Sequence, residues 1–116
     1  QHEKVAWVQY CGLPGDKYYE LGKKYLPNGS CGVVSFGVKG GRAAAEAFMG
    51  RLKIAAIETH VADARTCCLH PASSTHRQMN AEELKAAGVP EDLVRYSCGL
   101  EDAEDLIADL AQALDA

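Results

Sequence analysis

Strand-like and helix-like segments alternate along these 116 residues, and that alternation limits the chain to one α/β domain more firmly than any single motif does. Val5 to Tyr10 is apolar and β-prone, and it runs into Cys11-Gly12-Leu13-Pro14-Gly15, a cluster of turn residues. Asp16 can cap the next segment, in which Tyr18, Leu21 and Tyr25 recur at helical spacing until Pro27 blocks continuation. Val33 to Val38 predicts a strand with Val34, Phe36 and Val38 on one face. Lys39-Gly40-Gly41 then turns the chain into a long helix, whose Ala45, Phe48, Leu52 and Ala55 or Ala56 keep the spacing of a buried stripe.

Thr66 to Leu69 is a short strand candidate that Pro71 closes. Asn80 with Glu83 makes a capping box, Gly88 suits a left-handed stop and Pro90 lies just past it, so residues 81 to 87 are predicted as a compact helix. Leu93 to Cys98 returns to strand, with Val94, Tyr96 and Cys98 on one face and Leu93, Arg95 and Ser97 on the other. A last helix from about residue 102 is expected to bury Ala103, Leu106, Ile107, Leu110 and Leu114. A two-layer α/β domain follows, with the direction of its strands left open.

Charge narrows the partners. Residues 101 to 116 hold six acids and no base, which leaves 12 bases against 10 acids in the rest of the chain. The net charge of -4 therefore belongs to one terminal segment, and the near-neutral body offers no footprint for a phosphate backbone. Nucleic acid is not an expected partner. No apolar run reaches the length of a membrane span, and QHEKVAWVQY has none of the features of a secretory signal, so the expectation is a cytoplasmic protein that does not engage a membrane. Five cysteines without CxxC spacing fit reduced thiols. A metal site drawn from Cys67 or Cys68 with His70 and His76 is disfavoured, because adjacent strand residues face opposite ways.

Three features could carry chemistry. Arg95 lies mid-strand among apolar neighbours, where a guanidinium needs an anionic partner, either an internal carboxylate or the carboxylate of a ligand. Gly37-Val38-Lys39-Gly40-Gly41-Arg42 leads from a strand through glycines into a helix, as anion-binding loops do, although a plain connecting turn explains it as well. His70-Pro71-Ala72-Ser73-Ser74-Thr75-His76 is rich in hydroxyls that can line a site or satisfy local backbone groups.

Four stretches together resemble a known family. They are Tyr18-Tyr19-Glu20-Leu21 with Lys23-Lys24-Tyr25-Leu26-Pro27, Val34-Ser35-Phe36-Gly37-Val38-Lys39-Gly40-Gly41-Arg42, Leu69-His70-Pro71-Ala72-Ser73-Ser74-Thr75-His76, and Leu93-Val94-Arg95-Tyr96-Ser97-Cys98-Gly99-Leu100-Glu101-Asp102. In this order they are similar to the C-terminal portion of the Cys/Met-metabolism PLP-dependent enzymes, and most similar to the O-acetylhomoserine sulfhydrylase branch, with the methionine γ-lyases and cystathionine enzymes as alternatives. The resemblance implies a two-layer sandwich of a small, mostly antiparallel sheet with helices packed on one face, the C-terminal domain of a fold type I enzyme. It implies pyridoxal 5'-phosphate as cofactor of the complete enzyme, with the Schiff-base lysine and the rest of the cofactor site upstream, so that residues 1–116 alone are expected to be inactive. The complete enzyme is implied to be a homotetramer that converts O-acetylhomoserine and sulfide or methanethiol into homocysteine or methionine and acetate. On this footing the partners of the chain are its own N-terminal PLP domain and a small amino-acid substrate.

The resemblance also assigns residues. Arg95 matches the family arginine that grips the substrate α-carboxylate, Thr75 matches a residue beside substrate and cofactor, and His60 stands where relatives carry asparagine or serine contacting that carboxylate. His60 is itself a departure, and so is Ala62, where relatives have glycine. A stand-alone module that binds a small anion through Lys39-Gly40-Gly41 and Arg42 is the reading of a different class.

Overall fold

The computed structural model describes residues 2–116. Strands β1 (Val5–Gln9), β2 (Val33–Val38), β3 (Ala56–Ile57), β4 (Cys67–Leu69) and β5 (Leu93–Ser97) form one sheet in the order β1-β2-β5-β4-β3. All neighbours are antiparallel except β3 and β4, which run parallel. Helices α1 (Tyr19–Tyr25), α2 (Gly41–Arg51), α3 (Ala81–Ala86) and α4 (Ala103–Asp115) and a short 3-10 turn at Pro71–Ser73 complete the chain.

Alternation along the strands makes the core. Phe36 and Val38 of β2, Cys68 of β4 and Val94 and Tyr96 of β5 point to one face, where they meet Ala45, Phe48 and Met49 of α2 and Ala113 and Leu114 of α4. Phe48 is 1% exposed and meets Phe36 edge to face at 5.7 Å between ring centres. A smaller cluster of Ala72, Leu84 and Val89 seats α3 beside Leu93. Asn80 closes its capping box with Glu83, and Gly88 takes φ +73, so both predicted ends of α3 are present.

Several expectations are corrected. The long helix stops at Arg51, because Leu52 turns to an extended conformation and the N–H groups of Lys53, Ile54 and Ala55 are gathered by the Asp109 carboxylate instead of by helix carbonyls. Leu52 is therefore a cap, Ala55 is buried in a loop, and Ala56 opens β3, a strand the sequence did not announce. On α4 the buried stripe is Leu106, Asp109, Ala113 and Leu114, while Ala103 and Ile107 face outward and Ile107 is 65% exposed. A buried carboxylate occupies the position that an apolar pattern passes over, and the stripe is rotated accordingly. Leu21 and Tyr25 of α1 and Tyr18 just before it are exposed, and Asp16 bonds the N–H groups of Tyr10 and Tyr18 rather than capping the helix.

Candidate functional site

β5 turns Leu93, Arg95 and Ser97 away from the α2–α4 core, and its neighbours put Ser35 of β2 and Leu69 of β4 opposite Arg95. The Arg95 guanidinium makes no ion pair among the described residues. Its Nη2 donates to the Thr59 carbonyl at 2.7 Å. The internal salt bridge that pattern alone allowed is thus replaced by one hydrogen bond to backbone, and four of the five guanidinium N–H groups are left for other acceptors.

That carbonyl belongs to a loop laid along the end of β5. Ala62 N–H donates to the Ser97 hydroxyl at 3.1 Å, Leu100 N–H to the Ala64 carbonyl at 2.8 Å, and Thr66 N–H to Glu101 Oε1 at 2.8 Å. Thr66, fully buried, donates its hydroxyl to Glu101 Oε2 and accepts from Gly99 N–H. Hydrogen bonds from the Thr66 side chain and backbone hold the Glu101 carboxyl below the usual carboxylate range. Gly99 must be glycine for the loop to lie so close, since a Cβ there would run into the Ala64 carbonyl and the Thr66 nitrogen. Ala62 adopts φ +59, the left-handed region that glycine enters without strain.

His60 lies on this loop beside Thr59, exposed, with Nδ1 at 3.9 Å from both Glu58 Oε2 and Asp63 Oδ2. Thr75 follows the 3-10 turn that leaves β4 after Leu69, the cross-strand partner of Arg95. It is exposed, and its hydroxyl meets His76 Nδ1 at 2.9 Å. Arg95 is thus bonded to the residue before His60, and no hydrogen bond joins the His60 side chain to Arg95 among the described residues. No hydrogen bond joins Thr75 to Arg95 among the described residues. His70 is buried, with Nε2 against the Glu91 carbonyl at 2.6 Å and Nδ1 against the Ser73 hydroxyl at 2.7 Å, so both ring nitrogens fasten the turn. Sequence reasoning did not single out Ser97, Thr59, Thr66 or Glu101. Only Ser97 carried a signal, as a polar residue on the same strand face as Arg95.

The other candidates are structural. Arg42 pairs along its own helix with Glu46 at 2.9 Å. Cys67 and Cys68 are buried, and burial pushes the Cys68 thiol up to about 12. The lysines do not make a cofactor site. Lys4 Nζ is taken by the Leu114 and Asp115 carbonyls, Lys17, Lys23 and Lys24 lie over tyrosine rings, and Lys39, Lys53 and Lys85 are exposed. None is a buried amine suited to Schiff-base formation, so the residues of this chain do not by themselves fit pyridoxal phosphate.

Residues 1–115 match the model of the Cys/Met metabolism PLP-dependent enzymes. The chain is 45% identical over 98% of its length to O-acetyl-L-homoserine sulfhydrylase 1 of Thermus thermophilus, of which it covers 27%. It is also 45% identical over 99% of its length to an L-methionine gamma-lyase of Treponema denticola, of which it covers 28%. A solved structure from Campylobacter jejuni, assigned as an O-acetylhomoserine (thiol)-lyase and containing a pyridoxyl-lysine monophosphate, superposes with a TM-score of 0.92 at 35% identity, over 100% of this chain and 28% of that one. The chain thus spans about a quarter of the length of the relatives it matches. With the sequence matched almost end to end and the fold shared, the chain belongs to the Cys/Met metabolism PLP-dependent enzyme family.

Proposed function

We propose that this chain is the C-terminal, substrate-orienting domain of a PLP-dependent O-acetylhomoserine sulfhydrylase, in which Arg95 binds the α-carboxylate of the amino-acid substrate. The observation that carries the reading is the guanidinium on β5, which has no carboxylate partner among the described residues and is steadied by the Thr59 carbonyl. A planar fork of N–H groups in that setting suits a bidentate carboxylate. Held at two oxygens, an amino acid loses most of its rotational freedom, and the orientation of its Cα–H bond is fixed before reaction. Thr75 and His60 flank the carboxylate in this reading, each as a hydrogen-bonding group. Cofactor chemistry resides in the remainder of the enzyme, in keeping with the absence of a suitable lysine here. The overall reaction replaces acetate on O-acetylhomoserine by sulfide or methanethiol and releases homocysteine or methionine.

A methionine γ-lyase is the second reading, favoured by the 45% identity to the Treponema denticola protein. Assay of the complete enzyme separates the two. The sulfhydrylase reading expects homocysteine and acetate from O-acetylhomoserine and sulfide at a kcat/KM well above that for methanethiol release from methionine. The reverse order would establish the lyase.

A further inference from the structure

We propose that Ser97 is a positioning residue for the carboxylate site, holding the Thr59–Asp63 loop in place so that the Thr59 carbonyl can fix Arg95. This inference rests on the reading of Arg95 given above. Arg95 and Ser97 are two residues apart on one face of β5, and they fasten two points three residues apart on the loop, Thr59 and Ala62. His60 and Val61 lie between the two fastenings. Ser97 is 2% exposed, so its hydroxyl is committed to the protein interior, where it accepts the Ala62 N–H at 3.1 Å. The fastening acts against a cost, because Ala62 sits at φ +59, where an alanine is strained and an unfastened loop would move away. Release at Ala62 frees the segment that carries both the Thr59 carbonyl and His60. The guanidinium then loses its hydrogen bond to Thr59 and samples orientations that do not meet a carboxylate. Ser97 touches no substrate in this account and acts through the loop.

The test is Ser97→Ala in the complete enzyme, with KM measured separately for O-acetylhomoserine and for sulfide. The expected result is a rise of about tenfold in KM for the amino acid, with KM for sulfide and the visible absorption of the cofactor unchanged, since only a carboxylate-bearing substrate reads the Arg95 geometry. Ser97→Cys keeps the side-chain size with a weaker acceptor and should give a smaller rise in the same parameter, and it carries the test if the alanine variant does not fold. An unchanged KM for the amino acid would overturn the proposal, as would a parallel change in both KM values and the cofactor spectrum. Arg95→Lys measured alongside separates the two levels. If it impairs amino-acid binding while both Ser97 variants are neutral, only the Ser97 inference fails. If it is neutral, the carboxylate reading fails and the Ser97 inference with it.

Discussion

Arg95 Nη2 and the Thr59 carbonyl oxygen stand 2.7 Å apart, joining the middle of the central strand to a loop 36 residues earlier in the chain. The bond gives a charged side chain a fixed direction without neutralising it. A salt bridge at the same place would have filled the fork with an internal carboxylate and left nothing to recognise a ligand. The Asp109 carboxylate shows the opposite arrangement, being spent on the protein's own backbone N–H groups and on the Gln112 amide.

Asp109 should be the most costly single carboxylate to remove. It is 4% exposed and accepts N–H bonds from Lys53, Ile54 and Ala55 at 2.8, 2.9 and 3.3 Å. Asp109→Ala leaves these donors without their acceptor and should cost about 2–4 kcal/mol in urea denaturation. Burial works against the charged form, but these bonds and Gln112 prevail and hold the carboxyl below its ordinary value. A lowered folded pKa stabilises at pH above the unfolded value of about 4, and that contribution is lost as pH falls through the folded value. Asp109→Asn should therefore flatten the acid limb of the stability profile, and an unaltered limb would contradict the assignment.

The same carboxylate marks where the sequence stopped being legible. The capping box at Asn80, the left-handed Gly88 and the two faces of β5 all follow from residues within a few positions of one another, and the structure contains each of them. The end of α2 at Arg51 depends on Asp109, more than fifty residues away, and no local pattern reports such a contact. β3 has two residues and exists through its pairing with β4. At the site, Arg95 was legible as a cation among apolar neighbours, while Thr59 enters through its backbone oxygen, which carries no residue-type signal.

Thiol labelling should divide the cysteines by burial. Cys31 is exposed, whereas burial pushes up the thiols of Cys67 and Cys68, the latter to about 12. At pH 8 in the native state Cys31 should react with a disulfide reagent, and Cys67 and Cys68 should react only after denaturation. Because the folded pKa of Cys68 is raised, stability should fall as pH rises from about 9 towards 12. Rapid native labelling of Cys68 would contradict its placement under α2.

Ala62→Gly should stabilise the loop. The left-handed conformation costs an alanine about 1–2 kcal/mol, and glycine's greater freedom in the unfolded chain returns about 0.5–1 kcal/mol of that. A net gain of up to about 1.5 kcal/mol is expected in thermal or urea unfolding, and a loss of stability would contradict the φ of +59 at this position.

The most direct measurement is steady-state kinetics of Arg95→Lys in the complete enzyme with O-acetylhomoserine and sulfide. Lysine keeps the charge and loses the fork. The account predicts a drop of about 100-fold or more in kcat/KM for the amino acid, corresponding to about 2.7 kcal/mol or more at the transition state, with the cofactor spectrum retained. An unchanged kcat/KM would contradict the claim that this strand arginine orients the substrate.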